Sequence, residues 1–304
     1  MRALAAIAAA ATLAGPQIHL PRDHYGHVVG IEWWYVTAYV HGSDGHHYSL
    51  FFTVFKRGHL LLPVSQVVNL DTGVKVGHTE SVTPAAIGPS SLDVRLPTVQ
   101  LRYQPGPNRW TFGASGLHYS LKLTATPTKP YVLHGGGTGL VQQGTAESSY
   151  YSATNMTATG TIATATRTIA FTGKAWFDHQ WGGFTIDPTA LHWDWFSCRF
   201  DDDTELMLYR FRDGHESGTA VDRAGHGTLV SSFTATPGTR TLHAALRSWP
   251  LDWTLSVPSQ RLHVKLHAIV ADQLFRSIVL PTFGEGAVTA TGTKTGICFV
   301  EETS

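Results

Sequence analysis

Apolar and polar residues alternate over short stretches along most of the chain, a pattern typical of β-strands. The first clear example is a pair of aromatic-rich segments, 32–36 and 48–55, on either side of Gly42-Ser43-Asp44-Gly45. This arrangement predicts a β-hairpin. Similar segments recur as far as residue 301 and predict about fifteen strands. Residues 267–276 are the one interior stretch for which we consider a helix.

The number of strands decides the expected architecture. Open antiparallel sheets curl or split beyond about ten strands, so about fifteen strands exceed what one compact sheet holds. We therefore predict an all-β protein with two antiparallel β-barrels or sandwiches in tandem. The boundary is expected near Ala165, which gives an N-terminal domain of residues 17–165 and a C-terminal domain of residues 166–304.

Composition agrees with this architecture and excludes one class of partner. The 304 residues include 22 Lys and Arg against 22 Asp and Glu, so the formal net charge is zero. A nucleic-acid-binding protein needs a basic face, which this balance argues against. Apolar residues make up 42% of the chain, which is enough to build a packed core.

The N-terminus and the cysteines bear on the compartment. Arg2 precedes an apolar run over residues 3–14 and a Gly-Pro pair, which predicts a secretory signal peptide of residues 1–16 and a secreted or periplasmic protein. An Ala-rich start to a cytoplasmic protein is the alternative. We expect no integral membrane span, because the run is too short and no other segment reaches the necessary length. Cys198 and Cys298 either pair or remain buried thiols.

The densest group of chemically interesting residues lies at positions 175–183. Strand alternation places His179 and Trp181 on one face and Asp178 and Gln180 on the other. A histidine beside an indole inside a barrel could move a proton, because imidazole titrates near neutral pH and the aromatic face stabilises positive charge. The alternative is a buried histidine that hydrogen-bonds to the backbone.

A second group lies on the predicted hairpin of residues 192–198 and 205–211. Asp194 is surrounded by aromatic residues, which is costly for a carboxylate unless it is paired, protonated or at a rim. Tyr209 could supply a weak acid or a hydrogen-bond donor. Alternatively, Asp194 pairs with Arg210 and Tyr209 only packs.

Other kinds of site find little support. Among the 17 histidines no zinc or iron pattern stands out, and His263 and His267 would lie about 13 Å apart on one strand. No Gly-x-Ser-x-Gly motif occurs, and the Gly-rich segment 134–139 lacks the Lys-Ser/Thr of a phosphate loop. We expect no metal and no cofactor.

Five motifs, taken together and in order, carry a family resemblance. They are Glu32-Trp33-Trp34-Tyr35, Ser149-Tyr150-Tyr151-Ser152, Gly173-Lys174-Ala175-Trp176-Phe177-Asp178-His179-Gln180-Trp181, Trp193-Asp194-Trp195-Phe196 and Glu205-Leu206-Met207-Leu208-Tyr209-Arg210. The sequence resembles the AttH-like, lipocalin-like family, which includes acyclic carotenoid 1,2-hydratases, kievitone hydratase and fungal lipocalin-like Diels-Alderases. The resemblance extends over residues 32–301.

The resemblance implies two lipocalin-like barrels with an apolar pocket in or between them. It also implies acid protonation of a C=C bond by a His-x-Trp pair, here His179 and Trp181, together with a Tyr-x-Asp pair near Tyr209. The carboxylate of the second pair is missing, so Asp178, Asp194 or Glu32 would have to supply the proton. The aromatic residues expected to bind the substrate are Trp33, Trp34, Tyr35, Trp193 and Trp195.

These features predict a hydratase or dehydratase that acts on an apolar, unsaturated small molecule of isoprenoid or polyketide-like type. A cyclase that folds a polyene against aromatic walls is an alternative within the same class. A lipocalin-like carrier of a hydrophobic ligand is the alternative from a different class.

Overall fold

The structure is a computed structural model that describes residues 18–143, 146–182, 192–212, 214–242, 248–272, 274–277 and 282–303. Regular elements in these ranges are strands, apart from two 3-10 helices, Arg22–His24 and Pro258–Gln260. The strands of the first half are β1 (Ile31–Gly42), β2 (His47–Arg57), β3 (Leu60–Asn69), β4 (Lys75–Glu80), β5 (Thr83–Pro84), β6 (Asp93–Arg95), β7 (Val99–Gln104), β8 (Arg109–Gly116), β9 (Tyr119–Pro127), β10 (Val132–Leu133), β11 (Leu140–Gln143), β12 (Ala146–Thr164) and β13 (Thr168–Gly182). Those of the second half are β14 (Trp193–Phe200), β15 (Glu205–Phe211), β16 (Glu216–Val221), β17 (Gly227–Val230), β18 (Thr234–Pro237), β19 (Arg240–Leu242), β20 (Ser248–Pro250), β21 (Asp252–Val257), β22 (Leu262–Ala268), β23 (Leu274–Phe275), β24 (Phe283–Gly292) and β25 (Gly296–Glu302).

The first sheet contains strands β1 to β13 and is antiparallel throughout. Its main order is β4-β3-β2-β1-β13-β12-β9-β8-β7-β6. The sheet curls until β4 meets β8 and β9, where Thr79 Oγ1 donates a hydrogen bond to the carbonyl of Ser115 at 3.0 Å and lies 2.6 Å from Tyr119 Oη. The enclosed side holds an apolar core that includes Trp34, Trp110 and Phe177.

The second sheet has the order β17-β16-β15-β14-β25-β24-β22-β21-β18, with β23 beside β24. Strands β19 and β20 form a separate pair. Phe196, Trp253 and Leu266 contribute to the core enclosed by this sheet. Cys198 and Cys298 are direct cross-strand partners on β14 and β25 and form a disulfide, which resolves the two alternatives left open by the sequence.

The two sheets pack against each other through a third apolar cluster, which we call the seam. Tyr35 of β1 meets Trp195 of β14 with ring centroids 5.3 Å apart, and Phe51 of β2 meets Phe283 of β24 at 5.8 Å. Strand β1 is therefore covered on both faces. A strand covered on both faces reads as a continuous apolar run rather than an alternating one. This explains the sequence Ile31–Val36, in which every residue is buried and all but Glu32 are apolar or aromatic.

The prediction of an all-β protein with two tandem lipocalin-like antiparallel barrels is confirmed, each sheet curling into part of a barrel. The boundary expected at Ala165 lies in the turn between β12 and β13, within the first sheet. The sheets instead divide the chain between Gly182 and Trp193.

The prediction that residues 267–276 could form a helix is wrong. His267 and Ala268 end β22, and Leu274–Phe275 forms β23. Strand β22 alternates buried and exposed residues along its length, so the two-residue period decides over the helical one. The signal peptide expected at residues 1–16 lies outside the described residues. Within the described part of the chain no helix has the length and apolar character needed to cross a membrane.

Candidate active site

Strands β1 and β13 carry most of the residues singled out in the sequence, and they lie side by side. Their register pairs Trp34 with His179 and Tyr35 with Asp178. One face of these strands points into the first barrel, and the other points into the seam. The candidate residues are consequently divided between two sites on opposite faces of one sheet.

His179 lies on the inner face and is fully buried. Its Nε2 is 3.0 Å from Glu32 Oε1, and its Nδ1 is 3.1 Å from the hydroxyl of Tyr151. The ring stacks on Trp34 with centroids 4.7 Å apart. Burial lowers the pKa of His179, so the imidazole is neutral at physiological pH. Because Nε2 contacts Glu32 and Nδ1 contacts Tyr151, both ring nitrogens of His179 already have protein partners.

Glu32 is the centre of this inner network. It accepts hydrogen bonds from His27 Nδ1 at 2.7 Å and from Lys56 Nζ at 2.8 Å, in addition to His179. Burial acts to raise the pKa of Glu32, but the hydrogen bonds from His179 and His27 outweigh burial and lower it to about 2. Glu32 is thus a carboxylate near neutral pH and cannot donate a proton there.

The same residues form a set of potential metal ligands. His27, Glu32 and His179 offer ligand atoms within 4.8 Å of one another, a two-histidine, one-carboxylate combination. However, Lys56 Nζ lies 2.8 Å from the second oxygen of Glu32. A divalent cation on this carboxylate would lie close to that ammonium group, so the residues present fit a hydrogen-bond network better than an ion. The absence of a metal remains a prediction.

Trp181, the other member of the pair implied by the resemblance, also belongs to the inner network. It stacks face to face on His27, with centroids 4.0 Å apart and an interplanar angle of 5°. Its ring centroid is 4.7 Å from that of His179. The predicted alternation on β13 is confirmed, since Asp178 and Gln180 line the opposite face.

The seam contains a pocket between the two sheets. It is lined by Trp33, Tyr35, Phe55, Tyr150, Asp178, Gln180, Trp193, Trp195, Tyr209 and Glu301. The centres of water-sized molecules can occupy about 40 Å³ of it. Pockets for drug-sized ligands have volumes of about 300 Å³ or more, so aromatic side chains must move to admit a larger molecule.

Asp178 is the carboxyl group that the first sheet contributes to this pocket. It accepts hydrogen bonds from Trp176 Nε1 at 2.7 Å and from the hydroxyl groups of Ser152 and Tyr150. Burial raises the pKa of Asp178 to about 7, although these three donors favour the charged form. Asp178 is therefore close to half-protonated at neutral pH, which suits general acid–base catalysis.

The second sheet contributes a pair of carboxyl groups that the sequence analysis missed. Glu285 and Glu301 are cross-strand partners on β24 and β25 and hydrogen-bond to each other. Tyr35 donates to Glu285 at 3.0 Å, and Trp193 Nε1 donates to Glu301 at 2.7 Å. Desolvation is the main cause that raises the pKa of both groups, and the neighbouring charge of Asp178 acts in the same direction. Together these effects raise the pKa of Glu301 to about 7 and that of Glu285 well above its usual range.

One signal in the sequence could have identified this pair. Glu285 stands between two glycines at the start of an otherwise apolar strand, and Glu301 follows the buried Val300. A carboxyl group at a core position is costly unless it is protonated or paired, so such a position marks a candidate site.

The remaining candidates lie in three places. Trp33, Tyr35, Trp193, Trp195 and Tyr209 line the seam pocket, whereas Trp34 is part of the first-barrel core. Asp194 lies on the opposite face of β14 from Trp193 and Trp195. There it accepts a hydrogen bond from Arg210 at 2.5 Å, which is the ion-pair alternative. The structure does not bring Asp194 into the pocket.

The fold and the site together define the class of this protein: it is a tandem lipocalin-like β-barrel protein with an acidic, aromatic pocket at the seam between its two barrels. The model of the AttH-like family matches residues 74–304, and the chain belongs to this family. No curated protein matches the chain.

Several solved structures share the fold. An AttH protein from Nitrosomonas europaea superposes with a TM-score of 0.86 at 24% identity, covering 95% of this chain and 97% of that one. Kievitone hydratase from Nectria haematococca gives a TM-score of 0.81 at 20% identity, covering 96% and 94%. CghA in complex with Sch210972 gives a TM-score of 0.59 at 11% identity, covering 90% and 88%.

Proposed function

We propose that this protein is a hydro-lyase that adds water to a C=C bond, or removes it, in an apolar isoprenoid or polyketide-like molecule bound in the seam pocket. The observation that carries the proposal is the hydrogen-bonded pair Glu285 and Glu301, which lies near Asp178 among aromatic side chains. Such a pair holds a proton at neutral pH, because two adjacent carboxyl groups cannot both ionise in a desolvated site.

Hydration would proceed in two steps. The proton of the pair passes from Glu285 to Glu301, which lines the pocket, and from Glu301 to one alkene carbon. This leaves two carboxylates on the pair and a carbocation on the other alkene carbon, whose positive charge offsets the added negative charge. Water then attacks the cation while Asp178 takes the proton that the water loses. Transfer of that proton from Asp178 back to the pair completes the cycle, and the reverse sequence is dehydration. The faces of Trp33 and Trp195 can stabilise the cation.

The inner network would then act from the other side of the sheet. Trp34 and His179 lie directly behind Tyr35 and Asp178 in the strand register, and both nitrogens of His179 are engaged. We assign His179 and Trp181 a positioning role, in which they hold β1 and β13 in place. The likeness to kievitone hydratase, which covers 96% of this chain and 94% of that one, supports hydration as the reaction.

A cyclase is the second candidate. The pocket has seven aromatic side chains from the two sheets and few charged or amide groups, which suits the folding of a polyene. The likeness to CghA supports this alternative less strongly, since the TM-score is lower.

One experiment separates these functions. The small molecule that copurifies with the protein from its native cells is identified by mass spectrometry and incubated with the protein in ¹⁸O-labelled water. Hydration adds the mass of one labelled water, and dehydration removes one unlabelled water. A cyclase gives an isomer of unchanged mass, and a carrier returns the ligand unaltered. Either of the last two results would refute the hydro-lyase.

A further inference from the structure

A buried chain of hydrogen bonds begins at Asp178 and connects the first sheet to the second. Asp178 is bound by the hydroxyl of Ser152 on β12. Ser152 Oγ lies 2.7 Å from Nε2 of His134, a fully buried residue that directly follows β10. His134 Nδ1 lies 2.9 Å from Thr219 Oγ1 on β16 of the second sheet. The chain therefore has four members, and each contact joins one donor to one acceptor.

The ionised form of Asp178 fixes the direction of every bond in this chain. A carboxylate only accepts hydrogen bonds, so Ser152 must donate its single proton to Asp178. Ser152 Oγ then accepts from His134, which requires the proton of the neutral imidazole on Nε2. His134 Nδ1 carries no proton in this state and accepts from the hydroxyl of Thr219.

The protonated form of Asp178 allows the opposite direction. The carboxylic acid can donate to Ser152 Oγ, so that Ser152 turns its own proton towards His134 Nε2. His134 must then carry its proton on Nδ1, from which it donates to Thr219 Oγ1. Both arrangements leave every polar atom of the chain satisfied, and they differ in the tautomer of His134 and in one proton on Asp178.

A neutral imidazole is needed for both arrangements. Burial lowers the pKa of His134 to about 3, so the ring does not become a cation near neutral pH. Its ring packs on Tyr150, with centroids 4.1 Å apart. An amide or a hydroxyl in place of the imidazole would need a different geometry to span the distance between Ser152 and Thr219, whereas the imidazole spans it in either tautomer.

We propose that His134 and Ser152 are positioning residues that allow Asp178 to alternate between carboxylate and carboxylic acid, with His134 changing tautomer each time. This role rests on the proposed function, in which Asp178 takes a proton from water and gives it back. Without the exchange of direction, one of the two states would leave a buried polar atom without a partner, at a cost of about 1 to 3 kcal/mol.

Other titratable groups also face Asp178, and they set the pH at which the change occurs. They are Tyr150 of β12, Tyr35 of β1, and Glu285 and Glu301 of β24 and β25. No Lys or Arg lines the pocket in the described part of the chain. All four groups are acids, so each of them in its charged form makes ionisation of Asp178 harder.

The test is ¹⁵N NMR of the histidine side chains in the full-length protein between pH 5 and pH 9, which reads the tautomer of each imidazole directly. We expect the His134 ring to carry its proton on Nε2 at high pH and on Nδ1 at low pH, with a midpoint near the pKa of about 7 of Asp178. The variant His134→Gln identifies the signal. If that variant does not fold, contacts between the ring and the methyl group of Thr219 identify it.

The matched control is Asp178→Asn, which keeps the shape of the side chain but removes its titration. In this variant His134 should hold one tautomer across the whole pH range. A single tautomer throughout in the unmodified protein, or a doubly protonated ring above pH 6, would overturn the proposal. This measurement needs no substrate, so a failure of the hydration experiment leaves its outcome unaffected.

Discussion

Glu285 and Glu301 lie directly opposite each other on β24 and β25, and their carboxyl groups hydrogen-bond in the seam between the two sheets. Each is held by a donor, Glu285 by Tyr35 of the first sheet and Glu301 by Trp193 of the second. The acidic pair thus belongs to the second sheet, and the first sheet adds the hydrogen bond from Tyr35 when the two barrels pack together. This makes the seam, rather than either barrel interior, the place where proton transfer to an apolar ligand is expected.

The donor to Glu285 should control the pH range of activity. Tyr35→Phe removes a hydrogen bond that favours the charged form of Glu285 and so raises the pKa of the pair. Because the pair acts as an acid, activity is lost as pH rises through its pKa. The alkaline limb of the pH–rate profile should move to higher pH, by up to about one unit for one hydrogen bond. Tyr39→Phe, four residues along the same strand, is the control and should leave the limb in place. If the alkaline limb of the Tyr35→Phe profile stays at the same pH, Glu285 takes no part in the reaction.

The inner network should determine acid stability. The folded-state pKa of Glu32 is lowered to about 2 from 4.5, so its contribution to stability is fully present above pH 4.5. That contribution is lost as pH falls from 4.5 towards 2, and at about 1.4 kcal/mol per unit it amounts to about 3 kcal/mol. Urea unfolding at several pH values should show this decline. In Glu32→Gln the decline should be smaller, and the starting stability lower because Lys56 stays buried without its partner. An equal decline in both proteins would contradict the assignment.

The charge of the pocket should select among ligands. Among the described residues, those that line the pocket include Asp178 and Glu301 but no Lys or Arg. A buried ligand carboxylate would have no cation to pair with. Quenching of tryptophan fluorescence at pH 8 should therefore show farnesol binding at least about tenfold more tightly than farnesoic acid, which corresponds to 1.4 kcal/mol. Asp178→Asn removes one negative charge from the pocket, so it should reduce the difference in affinity between farnesol and farnesoic acid. Equal affinities would show that the ligands bind elsewhere.

Alternation along single strands could be predicted from the sequence, and pairings between distant strands could not. The division of β13 into a His179 face and an Asp178 face follows from a two-residue period alone. In contrast, Glu285 approaches Tyr35 across 250 positions of the chain. No local pattern encodes that contact, since it depends on how two finished sheets pack.

The boundary predicted near Ala165 lies before β13, although β13 still belongs to the first sheet, and the reason is a related one. Strand β13 pairs with β1, so its 15 residues complete the first sheet even though they follow the turn at Ala165. Hairpins are visible in sequence through their turns, whereas the closing partner of a sheet is not. The five motifs of the family resemblance did indicate the right fold, because they come from strands of both sheets and together identify a family rather than a single strand.

His179 tests which face of the sheet is reactive. Its ring is enclosed by Glu32, Tyr151 and Trp34. His179→Ala should lower the free energy of unfolding by about 3 kcal/mol, as expected for an emptied and partly unsatisfied core position. It should leave turnover within about tenfold when measured well below the midpoint of unfolding. Complete loss of turnover with unchanged stability would place the reaction inside the first barrel.

The central claim is that Glu301 supplies the proton, and one rate decides it. Glu301→Gln keeps the size of the side chain and an acceptor for Trp193, but it cannot act as an acid. Glu302→Gln, the next residue, is the control, because Glu302 is on the opposite face and pairs with Arg240. Initial rates of water addition should fall by about 100-fold or more in Glu301→Gln, the usual contribution of a general acid, and remain near the original value in Glu302→Gln. A Glu301→Gln protein that turns over within about tenfold of the unmodified protein would contradict the claim.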